Sequence, residues 1–170
     1  MKLSRVERWI LSNQYRILEA LHPDDADYYA NAREAIENGY ELHYRSISQY
    51  IYDDVMTDEE CEEVIDILSM FRALRRTYEA LPDKSGIAEQ RVTFVGFDGN
   101  DKVEGRYLSY ARYFCNQEGG RFTEIGRGDD FNSHWPALET YRRMLQAWNV
   151  SPDKYNLSQE DIIRITSAWG

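Results

Sequence analysis

Apolar residues recur along most of the chain at steps of three and four, the spacing of helices that bury one face. In the first such stretch Val6, Trp9, Ile10, Ile17, Leu18 and Leu21 share a face. Ser4 and Glu7 stand ahead of it in the order of a capping box, in which each side chain satisfies the other's backbone N–H. Pro23 and Asp24 stop this helix and start the next. The second stretch carries Tyr28, Tyr29, Ala32, Ala35 and Ile36 and ends at Gly39, which suits a left-handed cap. Leu42 to Ile51 reads as a third, shorter helix with Leu42, Ile47, Tyr50 and Ile51 as its apolar positions.

Thr57 and Glu60 repeat the capping-box order, and the pattern behind them predicts the strongest helix in the chain, Asp58 to Leu81. At the usual rise it is about 36 Å long. Val64, Phe71 and Tyr78 recur every seven residues, and so do Ile67, Leu74 and Leu81. This is an a/d stripe of the kind that pairs helices. Pro82 and the turn Asp83-Lys84-Ser85-Gly86 end it. Val92 to Val95 reads as a short strand or a buried extended link, and Asp98-Gly99-Asn100-Asp101 as a turn. Helices follow over 102–116, from Pro136 through Trp148, and from Ser158 through Ile165. The segment 119–134 between the first two is a glycine-rich loop pinned by Phe122, Ile125 and Phe131.

The pattern therefore predicts an all-α fold: a multihelical array of about six to seven helices with a long central helix and room for one very short β element near residues 92–97. A chain of 170 residues suits a single domain over 1–170, or two helical lobes (1–82 and 87–170) sharing one core.

Charge narrows the partners. Thirty acidic and 20 basic residues give a net charge of -10, whose field opposes DNA and RNA. Eight of the acids lie within 53–66 with no basic residue among them: Asp53, Asp54, Asp58, Glu59, Glu60, Glu62, Glu63 and Asp66. Acids favour a helix N-terminus, and Arg72, Arg75 and Arg76 follow further along. The run has no turn glycine of the kind a calcium loop needs. Arg72, Arg75, Arg76, Arg91 and Arg106, interleaved with Tyr78 and Tyr107, have the composition of a phosphate- or RNA-binding surface. The acids around them suit ion pairs instead, and no helix-turn-helix accompanies them.

Candidate chemistry is sparse. His22, His43 and His134 share no metal-ligand spacing, so no metal and no cofactor are predicted. Cys61 and Cys115 form no CxxC pair and read as reduced core thiols. The charged start Met1-Lys2-Leu3-Ser4-Arg5 does not suit a signal peptide, and no stretch has the length of a membrane span. The expected location is cytoplasmic, with no membrane partner. The most specific segment is Arg91-Val92-Thr93-Phe94-Val95-Gly96-Phe97-Asp98, where Gly96 allows close backbone approach. With Glu104, Arg106 and Tyr107 just beyond it, and Asn132 and His134 in the glycine-rich loop, it marks a candidate ligand or partner surface: Arg91, Asp98, Glu104, Arg106, Tyr107 and Asn132.

These same residues carry a likeness. Through Ile10-Leu11-Ser12-Asn13-Gln14-Tyr15, Ile36-Glu37-Asn38-Gly39-Tyr40, Ile65-Asp66-Ile67, Arg91 to Asp98, Arg106-Tyr107-Leu108, Arg143-Met144-Leu145, Trp148 and Leu157-Ser158, the chain resembles the YfbU family of bacterial proteins. Asn38 stands where the family more usually has Arg, and His134 departs from the family form. The resemblance implies an all-helical, oligomeric protein and carries over no catalytic residues.

The residues thus favour a non-enzymatic, self-associating protein that meets a protein partner in a regulatory or stress-related role. One alternative is a small-ligand binder or enzyme with a cleft between residues 91–107 and 119–134. Another is a nucleic-acid-associated regulator.

Overall fold

The computed structural model describes residues 2–51, 54–116, 121–122, 124–125 and 130–169. Asp53 of the acidic run and much of the glycine-rich loop, including Gly119 and Gly120, lie outside them. The described residues form seven α-helices and no strand, so the fold is all-α. None of these helices is long and apolar enough to cross a membrane. The chain divides into two compact units, 1–55 and 56–170.

The first unit consists of α1 (Arg5–Leu21), α2 (Ala26–Asn38) and the single turn α3 (Tyr44–Ile47). The capping box of Ser4 and Glu7 is formed, and Gly39 caps α2 with a φ of 77°. The predicted helix over 42–51 shrinks to α3 preceded by a 3₁₀ turn at Glu41–His43. Leu42, Tyr50 and Ile51 stay exposed, so burial gives that stretch little reason to remain helical. The core is small. Tyr15, Ile36 and Tyr44 are buried, with Leu3, Leu11, Leu18, Tyr29, Ala32 and Ile47 packed around them. Polar contacts tie α1 to α2. Arg33 Nε donates to Glu19 at 2.6 Å, and Ser12 Oγ donates to Glu37 at 2.7 Å.

The second unit is built on α4 (Asp58–Ala80), against which α5 (Lys102–Cys115), α6 (Leu138–Asn149) and α7 (Gln159–Ser167) pack. Capping boxes start α4 at Thr57 and α7 at Ser158. The seven-residue stripe of α4 turns inward: Val64, Ile67, Phe71, Leu74 and Tyr78 are all buried within this unit. Aromatic rings fill the centre edge to face, the arrangement their quadrupoles favour. Phe71 meets Tyr141 at 5.0 Å, and Phe97 meets Tyr107 at 5.6 Å.

The link between α4 and α5 is pinned by a backbone clasp. Glu89–Val92 forms a 3₁₀ turn, and the expected β element appears as an isolated parallel bridge between Phe97 and Asn132. Phe97 N donates to Phe131 O, and Ser133 N donates to Phe97 O, both at 3.0 Å. Gly96 makes this approach feasible. Its φ is 92°, and a Cβ there would lie 2.0 Å from Phe131 O. Tyr141 closes the clasp by donating its hydroxyl to Gly96 O at 3.0 Å.

Replacing Gly96 by Ala is expected to lower unfolding stability by about 3 kcal/mol, because backbone strain and a backbone clash combine. Gly86 has a similar φ of 82° but nothing within 4 Å of the added Cβ. Gly86→Ala should therefore cost only about 1 kcal/mol. Urea unfolding of the two variants checks the ranking; equal losses would remove the clasp from the explanation.

Candidate functional site

The six residues singled out from sequence separate into three places. Asp98, Glu104 and Asn132 come together around the clasp. Glu104 is buried, although it lies in the first turn of α5. It accepts the N–H of Asp98 at 2.8 Å and those of Ala137 and Leu138 at 3.0 Å. Helix α6 has no side-chain cap of its own, so Glu104 supplies one from a different helix. Asn132 Oδ1 accepts from Gly99 N and His134 N, both at 3.0 Å, and Asp98 Oδ1 accepts from Asn100 N at 2.9 Å. These carbonyl and carboxylate oxygens are engaged with backbone, and their geometry is that of a structural knot.

Arg106 and Tyr107 point instead to the acidic head of α4. Arg106 Nη2 donates to Glu60 at 2.6 Å. The Tyr107 hydroxyl donates to Glu63 Oε2 at 2.6 Å, and Arg142 clamps the same carboxylate through Nε at 2.8 Å and Nη2 at 2.9 Å. The Arg142 guanidinium holds the Glu63 carboxyl below its ordinary range, and Glu63 in turn raises the Arg142 guanidinium. Glu59, Glu62 and Asp66 remain along the open side of a groove of about 620 Å³. Sequence reasoning treated Glu63 as one of a surface run and did not single out Arg142. Nothing local to either residue announces a pairing across 79 positions. Arg91 lies elsewhere, with Nη1 3.5 Å from the Thr166 carbonyl at the end of α7.

The other surface that stands out is on α1. Leu11, Tyr15 and Leu18 face the small core of the first unit. The opposite side carries Val6, Trp9, Ile10, Ile17 and Leu21, which are 50–67% exposed. The sequence groups these side chains with Leu18 as the one apolar face; in the structure only Leu18 of that set packs against the core, and Leu11 and Tyr15 make up the rest of the inward face.

Two measurements follow from the buried groups. Glu104→Gln sets an amide N–H₂ against backbone donors and should cost about 3 kcal/mol in urea unfolding; an unchanged midpoint would sink the capping role. Burial, reinforced by the hydrogen bond to Glu63, pushes the Tyr107 phenol up to about 12. The folded chain thus holds this proton more tightly than the unfolded one, whose phenol titrates near about 10. The resulting stability is complete below about pH 10 and is lost as pH rises toward about 12. Unfolding at about pH 9 and about pH 11.5 should show a larger loss for the natural chain than for Tyr107→Phe.

The sequence pattern of the YfbU domain matches residues 1–168, which takes in both units, the clasp and the α1 face. With nearly its whole length matched, the chain belongs to the YfbU family.

Proposed function

We propose that this protein is a self-associating interaction protein and that two copies meet through the outward face of α1. The observation that carries this reading is the set of five large apolar side chains left exposed on a single helix: Val6, Trp9, Ile10, Ile17 and Leu21. The long stripe of α4 suggested self-association from sequence, but it is used up inside its own unit. The reading therefore rests on α1.

Three arguments favour a second copy as the occupant. The first is area. Five such side chains offer on the order of 500 Å² per copy, so a symmetric pair reaches the roughly 1,000 Å² expected of a specific interface. The second is stability. The first unit spans 55 residues, and among the described residues its buried apolar side chains are few: Tyr15, Ala35, Ile36 and Tyr44. A unit of that size gains most from a surface that is always available, and a second copy is always present. The third is register. Val6, Ile10, Asn13 and Ile17 follow in alternating steps of four and three, with Asn13 the one polar residue in the seam. A single polar seam position fixes alignment between matching helices.

Sedimentation velocity provides the test. The natural chain should sediment as a dimer at micromolar concentration. Ile10→Lys with Ile17→Lys should weaken association by about a hundredfold or more, since each replaces a seam anchor with a charge. Far-ultraviolet circular dichroism should show helix content retained. A natural chain that stays monomeric at about 100 μM would overturn the proposal.

A further inference from the structure

A second surface, in the other unit, has a different chemistry. Arg72 leaves one turn of α4 and Arg75 and Arg76 the next, and together they rim a half-open groove of about 570 Å³. Its floor is apolar: Phe71, Val92 and Phe94 are buried, and Ile125 is half-buried. Three arginines thus share the rim with Glu79 and Glu124 above an aromatic floor on one side of the central helix.

The arginines are fixed but not saturated. Arg72 lies over the Phe122 ring at 3.9 Å and donates its Nε to Glu124. Arg75 donates Nε to Glu79 at 2.7 Å and Nη1 to Glu89 at 2.8 Å. Arg76 has no ion pair among the described residues. A guanidinium carries five N–H donors in a rigid fork. Among the described residues, both Nη groups of Arg72, Nη2 of Arg75 and the whole head of Arg76 are therefore left to donate. The acids beside them hold two of the three forks in place at little further entropic cost. Hydrated inorganic anions gain nothing from the Phe71, Phe94 and Ile125 floor, whereas a flat organic anion buries its body there and its charge on the rim.

We infer that this groove binds a small organic anion, one with a carboxylate or phosphate head on an aromatic or aliphatic body. The site belongs to the second unit and does not depend on how α1 is used. The head group engages Arg76 and shares Arg72 and Arg75. The body lies over Phe94 and Ile125.

The probe is 2-naphthoate, added to the full ¹⁵N-labelled chain and followed by amide and arginine Nε–H resonances. Saturable shifts are expected at Thr93, Phe94 and Ile125 and at the three arginines. Arg72→Gln with Arg76→Gln should weaken 2-naphthoate at least tenfold while leaving the neutral 2-naphthalenemethanol within about twofold. Arg76→Gln alone, an exposed change, should give a smaller loss in the same direction. Shifts confined to α1, no saturation at millimolar probe, or equal affinity in the double variant would each overturn the assignment. Equal occupancy of the same resonances by inorganic phosphate would overturn the role of the apolar floor.

Discussion

Glu104 is buried, so three backbone N–H groups take the place of water around its carboxyl oxygens. Those donors come from the turn after the clasp and from the uncapped start of α6. One carboxylate therefore ties together α5, which carries it, α6, which it caps, and the 96–99 turn, which Gly96 presses against Phe131. The aromatic centre depends on this arrangement. Phe97 and Tyr141 meet at 5.7 Å only because the clasp and α6 are brought to the same point. Phe131 and His134 have φ values of 57° and 60°, a left-handed conformation that non-glycine residues pay for in strain. The clasp hydrogen bonds and the Glu104 cap offset that strain.

Local signals in the sequence were the ones that could be read. Ser4 with Glu7, Thr57 with Glu60 and Ser158 with Asp161 are three residues apart, and all three capping boxes form. Gly39 and the long helix behind Thr57 were legible for the same reason. The Glu104 cap was not, because its partners lie 33 and 34 positions away. Glu104 and Asn132 were singled out as candidate ligand groups. A ligand-binding carboxylate and a buried capping carboxylate are the same residue type, and only the three-dimensional neighbours separate them.

The α4 stripe, which the sequence offers for association, and the outward face of α1 illustrate a related limit. A heptad repeat states that a helix has an apolar seam, not whose seam fills it. In α4 the seam is filled by α5, α6, α7 and the 92–97 link, so Val64, Ile67 and Leu74 reach 0% exposure. On α1 there are two seams, and α2 with α3 can cover only one. Leu11, Tyr15 and Leu18 make that contact, and beside them Ser12 donates its hydroxyl to Glu37 of α2 at 2.7 Å. The second apolar face, with Trp9 as its largest side chain, is left facing outward.

Charge along α4 sharpens what the exposed arginines mean. Acids at its head suit the helix dipole, and Glu60 and Glu63 are further engaged by Arg106 and Arg142. The dipole gives no equal account of Arg72, Arg75 and Arg76, because the last turn of α4 contains no basic residue and the effect fades within a turn. A chain of net charge -10 also repels anions at a distance. An anion can settle on this rim only if short-range terms outweigh that repulsion. Bidentate guanidinium contacts supply part of it, and burial of an apolar body over Phe94 and Ile125 supplies the rest. That repulsion falls equally on anions of equal charge, so the preference for organic ones rests on the apolar floor and does not depend on salt.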